Sequence, residues 1–377
     1  MTSSLAKIVA IESSRSGVTG GSVFSITTLF SSLSDYDKSL ILYESKLQSN
    51  IPTCILPFSK INLMLERTIG YFPVKIRSLI KLIFMEIPRS IRLIKIIKRL
   101  NPSIIHLNDG ISTNIDGIIA GLYLNKTIIL HERKIRSIST LDRIFSRVVD
   151  ELICISKVVY KNTLQQQYRT KNAKIIYNPI QIDVSEVETN PFPQSTEKML
   201  NIVMPGNIIR WKGHQQVIKN LSALSIPFHC YFLGGIPRAS KDYYQKLLLE
   251  VNKSNLNNKT TFTGYIEDIR PWLKYCDVML HASVEPEPFG RVIVEGMQSG
   301  CIVVTTNYGA SPEIISDGVD GFMIDPKDGI QMNDLLTKIH NSDGLKKNIG
   351  ENAKITGQKY LPANSVKKIE KIYFKYV

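Results

Sequence analysis

A chain of 377 residues exceeds the size at which a single hydrophobic core keeps growing, so two domains are expected. Its 43% hydrophobic and 21% charged residues are those of an ordinary globular protein, and the absence of any uncharged apolar run of about 18 residues excludes a membrane-spanning helix. The net charge of +14 is lopsided: residues 1–180 hold 25 Lys+Arg against 12 Asp+Glu, whereas the remainder is nearly balanced.

The opening "MTSSLAKIVAIESS" has no basic start and no long apolar core, so no signal peptide is read. Strands are predicted at 7–13, 38–44, 103–108, 127–132, 151–156 and 174–179. A second set follows at 201–207, 228–235, 260–265, 277–283, 301–306 and 321–326. Helical patterns lie between them, for example Val23, Ile26, Leu29, Phe30 and Leu33 on one face. Continuous apolar strands alternating with helices imply parallel sheets covered on both sides. Six units followed by six predict an α/β chain of two doubly wound, Rossmann-like domains in tandem, facing a shared cleft. Residues 178–198, with three prolines and no periodicity, read as the linker. Beyond about 330 the chain becomes helical and polar. The five cysteines are scattered in apolar runs, as reduced buried thiols in the cytoplasm would be.

The loops that follow strands carry the chemistry. After the first strand, "SGVTGGS" sets Gly17, Gly20 and Gly21 before a helix start, where backbone amides can meet an anion. A plain strand-to-helix turn explains these glycines equally well. "PGNIIRWKGHQQVI" places Asn207, Arg210 and Lys212 between a strand and a helix, which suits a diphosphate or, alternatively, a solvated basic turn. In "VEPEPFGRVIVEGMQSG", Glu287 sits on the loop above a strand, Gly290 and Arg291 open a helix, and Glu295 lies one to two turns inside it. Such an arrangement can hold a sugar nucleotide, with a carboxylate at each end and amides on the diphosphate; two unrelated surface glutamates would share the bare spacing. "HLND" and "LHER" put His106, Asn108, His131 and Glu132 at strand ends, in structural or catalytic roles alike. "DYD" at 35–37 has the form of a metal-binding pair but lies in a polar turn, and no metal site is assigned.

Residues 71–102 gather Lys75, Arg77, Lys81, Arg89, Arg92, Lys95, Lys98 and Arg99 against the single acid Glu86. From 88 to 100 the helical spacing sets Leu93, Ile94, Ile96, Ile97 and Leu100 on one side, with Arg92, Lys95, Lys98 and Arg99 on the other. One reading is an amphipathic helix packed on its domain; another adds contact with an anionic membrane surface. Nucleic acid is disfavoured, since the basic stretch lacks interleaved aromatic residues.

Taken together, "SVEPEPFGRVIVEGMQSG", "NYGASPEIISDGVDGFMI", "ICIS…IIYNPI", "GNIIRWKGHQQVI" and "GVTGGS" resemble family-4 retaining glycosyltransferases of the GT-B fold. The resemblance implies an acceptor-binding domain at 1–180, a nucleotide-sugar domain at 181–355 and a helix at 356–377 crossing back to the first. It implies that Glu287 orients the donor sugar, Glu295 holds the ribose, and Phe289, Gly290, Arg291 and Val292 give backbone contacts. Lys212 neutralises the departing diphosphate, and Gly20 and Gly21 approach the phosphates. Asn207 stands where the family has an arginine, with Arg210 as the substitute cation, and Asn108 stands where it has a histidine. The implied activity is metal-independent, retaining transfer to a lipid-linked oligosaccharide in surface polysaccharide synthesis (O-antigen, lipopolysaccharide or capsule), without a cofactor, at the inner face of the cell membrane. A sugar-nucleotide epimerase or a non-catalytic sugar-nucleotide-binding partner are the alternatives.

Overall fold

The computed structural model describes residues 5–12, 21–43, 50–56, 73–194 and 196–377, without the side chains of 74, 75 and 78. Gly17 and Gly20 lie outside them. The chain divides into two compact units, Met1–Pro179 with Pro362–Val377, and Ile180–Leu361. The second unit thus runs six residues further than the boundary expected at 355, because the helix Asp343–Gly357 and the turn Gln358–Tyr360 remain part of it.

In the first unit the strands are β1 (Ala6–Glu12), β2 (Tyr36–Tyr43), β3 (Thr53–Leu56), β4 (Ile104–Asn108), β5 (Thr127–Glu132), β6 (Glu151–Cys154) and β7 (Ala173–Ile175). They form one parallel sheet in the order β3-β2-β1-β4-β5-β6-β7. Alternate side chains serve opposite faces. Ile8, Ala10, Leu40, Leu42, Ile104 and Ile129 pack with Ile26, Leu29 and Phe30 of the helix Gly21–Ser32, and with Val366, Ile369, Ile372 and Tyr373 of Pro362–Tyr373. On the other face the helix Ile115–Tyr123 comes so close that a Cβ on Gly117 would lie 2.6 Å from the Leu107 side chain. Coverage on both sides is why these strands are apolar throughout.

The second unit repeats the plan with β8 (Leu200–Pro205), β9 (Phe228–Leu233), β10 (Thr260–Gly264), β11 (Val278–His281), β12 (Ile302–Thr306) and β13 (Phe322–Ile324), ordered β10-β9-β8-β11-β12-β13 and parallel. Side-chain caps set several helix starts: Asp328 accepts from the Gln331 amide and Ser342 from the Leu345 amide. In each sheet the strand order reverses at one place, between β1 and β4 and between β8 and β11. Loops diverge there and leave a crevice beyond the strand ends.

The basic region forms the helices Val74–Lys81 and Ile87–Leu100, joined by a π turn at Leu82–Glu86. Arg89, counted among the basic residues of this stretch but assigned to neither face, lies inside: it is 5% exposed, donates Nε–H to Asp116 at 3.0 Å and pairs with Glu86. Tyr43 donates to the same Asp116 oxygen at 2.6 Å. Two buried carboxylates force the guanidinium inward, because an uncompensated buried charge is far costlier than a paired one.

Candidate active site

The reversal point of the second sheet brings Lys212 and Glu287 together. After β8, Gly206 (φ +141°) turns the chain, Arg210–Lys212 makes one 3₁₀ turn, and Gly213 (φ +83°) opens the helix His214–Leu221. Gly213 is constrained twice over, since a Cβ would fall 2.0 Å from the Ala282 carbonyl oxygen at the end of β11. The Val284 amide donates to the Trp211 carbonyl at 2.8 Å, which fastens the two strand-end loops to each other. Across that seam Lys212 Nζ donates to Glu287 Oε2 at 2.5 Å and also lies 4.3 Å from the centre of the Trp211 ring.

Two further donors meet the same carboxylate oxygen: His281 Nε2 at 3.1 Å and Ser283 Oγ at 3.1 Å. Oε1 takes none of the three. Donation to a carboxylate puts the His281 proton on Nε2, so bare Nδ1 accepts from Thr305 Oγ1 at 3.0 Å. Thr305 then accepts from Ser311 Oγ, also at 3.0 Å, and a directed chain runs Ser311, Thr305, His281, Glu287. Burial acts to raise the Glu287 carboxyl, but the His281 hydrogen bond and the Lys212 charge prevail and lower it to about 2. Burial pushes His281 itself below its usual range, so the ring stays neutral. Behind the loop, the Ala310 amide donates to the Glu287 carbonyl at 3.0 Å, and Gly309 (φ +63°) passes where a Cβ would be 2.3 Å from that oxygen. His281, Ser283, Thr305, Ser311 and Gly309 escaped the sequence reading; the only signal was a histidine closing an apolar strand just before the glutamate.

Gly290 (φ +82°) precedes the helix Arg291–Ser299, which stops at Gly300 (φ +81°) as its sequence implied. Gly290 at the N-cap offers no side-chain acceptor, and the first-turn amides of any helix lack intrahelical acceptors, so this end suits an anion. Phe289 is buried against Tyr360, and Val292 sits in the first turn. Glu295 accepts from Arg291 Nη2 at 3.3 Å. Burial raises its carboxyl and Arg291 offsets part of that rise. Arg210 is exposed and places Cζ 5.2 Å from the Tyr243 ring centre, lining a hollow with Gln215, Gln216 and Lys219; it is not a partner of Glu287. Asn207 is exposed at the turn after β8.

In the first unit the four strand-end residues are buried, and their polar atoms are largely committed internally. His106 Nδ1 meets the Tyr373 hydroxyl at 2.7 Å, and its Nε2 meets His131 Nδ1 at 3.2 Å. Burial lowers His106 to about 3 and His131 well below its usual value, with Arg133 adding to both. His131 Nε2 is buried without a hydrogen-bond partner among the described residues. Asn108 donates to Glu12 and accepts from Arg133, which also reaches Asn178. Glu132 accepts from Arg136 Nη2 and from the Tyr168 hydroxyl, each at 3.3 Å. Gly21 begins the helix after β1, where Ser22 Oγ donates to Glu12 at 3.5 Å. Glu12, Arg133 and Asn178 were missed because each looks unremarkable until the strand ends are placed side by side. Asp37 of the D-x-D pair makes an ion pair with Lys7 at 3.1 Å.

Comparisons with known proteins bear on the fold and on the sequence signature of the second unit. Residues 187–356 match the family model described as glycosyl transferases group 1. The chain is 23% identical over 256 residues to the uncharacterized glycosyltransferase MJ1069 of Methanocaldococcus jannaschii, covering 63% of this chain and 62% of that protein. It is 26% identical over 150 residues to the lipopolysaccharide core biosynthesis glycosyltransferase LpsE of Rhizobium meliloti, covering 40% and 42%. The aligned region therefore spans less than two thirds of these curated relatives. Among solved structures, Anabaena HepE in complex with UDP and glucose superposes with a TM-score of 0.79 at 20% identity, over 98% of this chain and 100% of that one. The chain as a whole thus has the GT-B fold, and residues 187–356 carry the signature of the glycosyl transferases group 1.

Proposed function

We propose that this protein is a retaining glycosyltransferase. It moves a sugar from a nucleotide-sugar donor to a lipid-linked oligosaccharide in surface polysaccharide synthesis. The observation that carries the reading is the Lys212–Glu287 pair at the reversal point of the second sheet, beside the glycine-led start of the helix Arg291–Ser299. Breaking a sugar–phosphate bond builds positive charge at the anomeric carbon and negative charge on the departing diphosphate. Lys212 and the helix amides stabilise that negative charge where it grows. Glu287 stays ionised and presents Oε1 to the sugar hydroxyls, while Glu295 binds the ribose. The leaving phosphate takes the acceptor proton, so neither a strong protein base nor a metal is assigned a role.

Support for a nucleotide-sugar donor comes from HepE, solved with UDP and with UDP-glucose, which makes UDP-sugars the first to try. LpsE supports a polysaccharide acceptor. The test is a thermal-shift panel of UDP-, GDP- and ADP-sugars, followed by turnover with the best donor and assignment of the product anomer by NMR. A ligand at about 100 times its Kd stabilises by about 2.7 kcal/mol, well within detection. Absence of any nucleotide-dependent shift, or an inverted anomer, would overturn the proposal.

A further inference from the structure

The helical region 74–100 leaves outside a row of apolar side chains that the sequence pattern did not single out. Ile76 (49% exposed), Leu79 (56%), Ile83 (46%), Phe84 (56%), Ile87 (41%) and Ile91 (53%) all face solvent. Steps of three and four residues place neighbours along one side of a helix, and the same steps carry this row on to Lys95 and Arg99. Arg92, Lys95, Lys98 and Arg99 are all exposed. The only acid of the stretch, Glu86, is turned inward and paired with Arg89, so among the described residues the outer face shows apolar groups and cations without an acid. The helix cannot roll this row under. Met85, Leu93 and Ile97 are fully buried on its inner side, and Arg89 bonds to Asp116 of the neighbouring helix.

The geometry points to an anionic phospholipid bilayer as the occupant of this face: Ile76, Leu79, Ile83, Phe84, Ile87 and Ile91 enter the acyl boundary while Arg92, Lys95, Lys98 and Arg99 bind lipid phosphates. A bilayer offers an apolar layer and negative charge in one surface, the complement of what this helix displays. A second copy of the chain is the weaker fit, since it brings its own four cations against these four. The inference rests on surface side chains and is independent of the transfer chemistry, although a lipid-linked acceptor would be reached at such a surface.

The test uses the full chain, sedimented with vesicles of phosphatidylcholine alone or mixed three to one with phosphatidylglycerol, at low and high salt. Binding is expected only to the mixed vesicles, and weaker at high salt. It should fall about tenfold or more in Arg92→Gln/Lys95→Gln/Lys98→Gln/Arg99→Gln, and likewise in Ile83→Ser/Ile87→Ser/Ile91→Ser. Both variants should keep the wild-type melting temperature and donor-induced thermal shift. That separates a failure of this surface from a failure of the glycosyltransferase reading. The inference is overturned if the wild type ignores anionic vesicles at low salt, or if both variants bind as the wild type does. It is also overturned if sedimentation velocity shows a dimer that the serine variant dissociates.

Discussion

Glu287 is held by three donors on one oxygen, and the chemistry depends on that asymmetry. Cutting Lys212 to Ala should lower turnover by about 10²–10³-fold, or about 2.7–4 kcal/mol, because a preorganised cation aimed at developing charge is lost. Initial rates with saturating donor will measure it; a loss under threefold would refute the assignment. His281 acts through Glu287, so His281→Gln should cost less and respond differently. Its amide can still donate to the carboxylate, and donor KM should rise more than kcat falls. The Glu287 carboxyl lies at about 2 in the fold against 4.5 unperturbed. A depressed carboxylate contributes stability above the unfolded value and loses it as pH falls through the folded one. Wild type and Glu287→Gln should therefore converge in unfolding free energy between pH 4.5 and 2, by about 3 kcal/mol. Glu287 and Lys212 were legible in the sequence because each breaks a pattern, one by a Pro-Phe-Gly kink and the other by a glycine. Their supports were not, since Thr305 lies 24 residues beyond His281 and only the parallel pairing of β11 with β12 makes them neighbours.

At the scale of elements, the helix Ile87–Leu100 shows where periodicity stops informing. Spacing divided it into two faces, and Leu93 and Ile97 are indeed inside. That division left Arg89 unplaced; it too lies inside, because the buried carboxylates that claim it come from Asp116 and Glu86, and a helical pattern says nothing about neighbouring helices. Arg89→Ala should destabilise the protein by about 3–5 kcal/mol, since it strands two buried acids. Arg89→Ala combined with Glu86→Leu and Asp116→Asn should recover part of that loss in urea unfolding. The strand β3 was missed altogether: it is four residues long, flanked by Pro52 and Pro57, and forms the edge of its sheet. β7 is three residues where the apolar run predicts six, the chain leaving the sheet before Asn178 turns to Arg133. Central strands were legible because burial on both faces writes itself as unbroken Val, Ile and Leu.

For the whole molecule, two parallel sheets follow from that alternation, but the ownership of the last sixteen residues does not. Pro362–Tyr373 packs Val366, Ile369, Ile372 and Tyr373 into the first unit's core, where Tyr373 also holds His106. Ending the chain at residue 361 should therefore lower the melting temperature of the first unit and leave that of the second nearly unchanged, as a two-step calorimetric scan can resolve. Acid should weaken both units. His106 and His214 are lowered by burial to about 3 and about 4, so below about pH 6.5 the unfolded chain binds protons that the folded chain refuses. Stability then falls with pH, by about 2 kcal/mol per independent histidine at pH 5. Urea midpoints at pH 7.5 and 5 will measure the drop, and equal midpoints would refute it.

The return of Pro362–Val377 to the first unit has a consequence for synthesis. Ribosomes deliver residues 1–179 before Pro362–Val377, yet the hydrophobic face awaiting Ile369 and Tyr373 stays uncovered until that distant segment has been made. The second unit, continuous in sequence, can finish folding while its predecessor is still open. The unit begun earlier thus closes after the one begun later, and a nascent chain stalled just short of residue 362 should engage chaperones through residues 1–179.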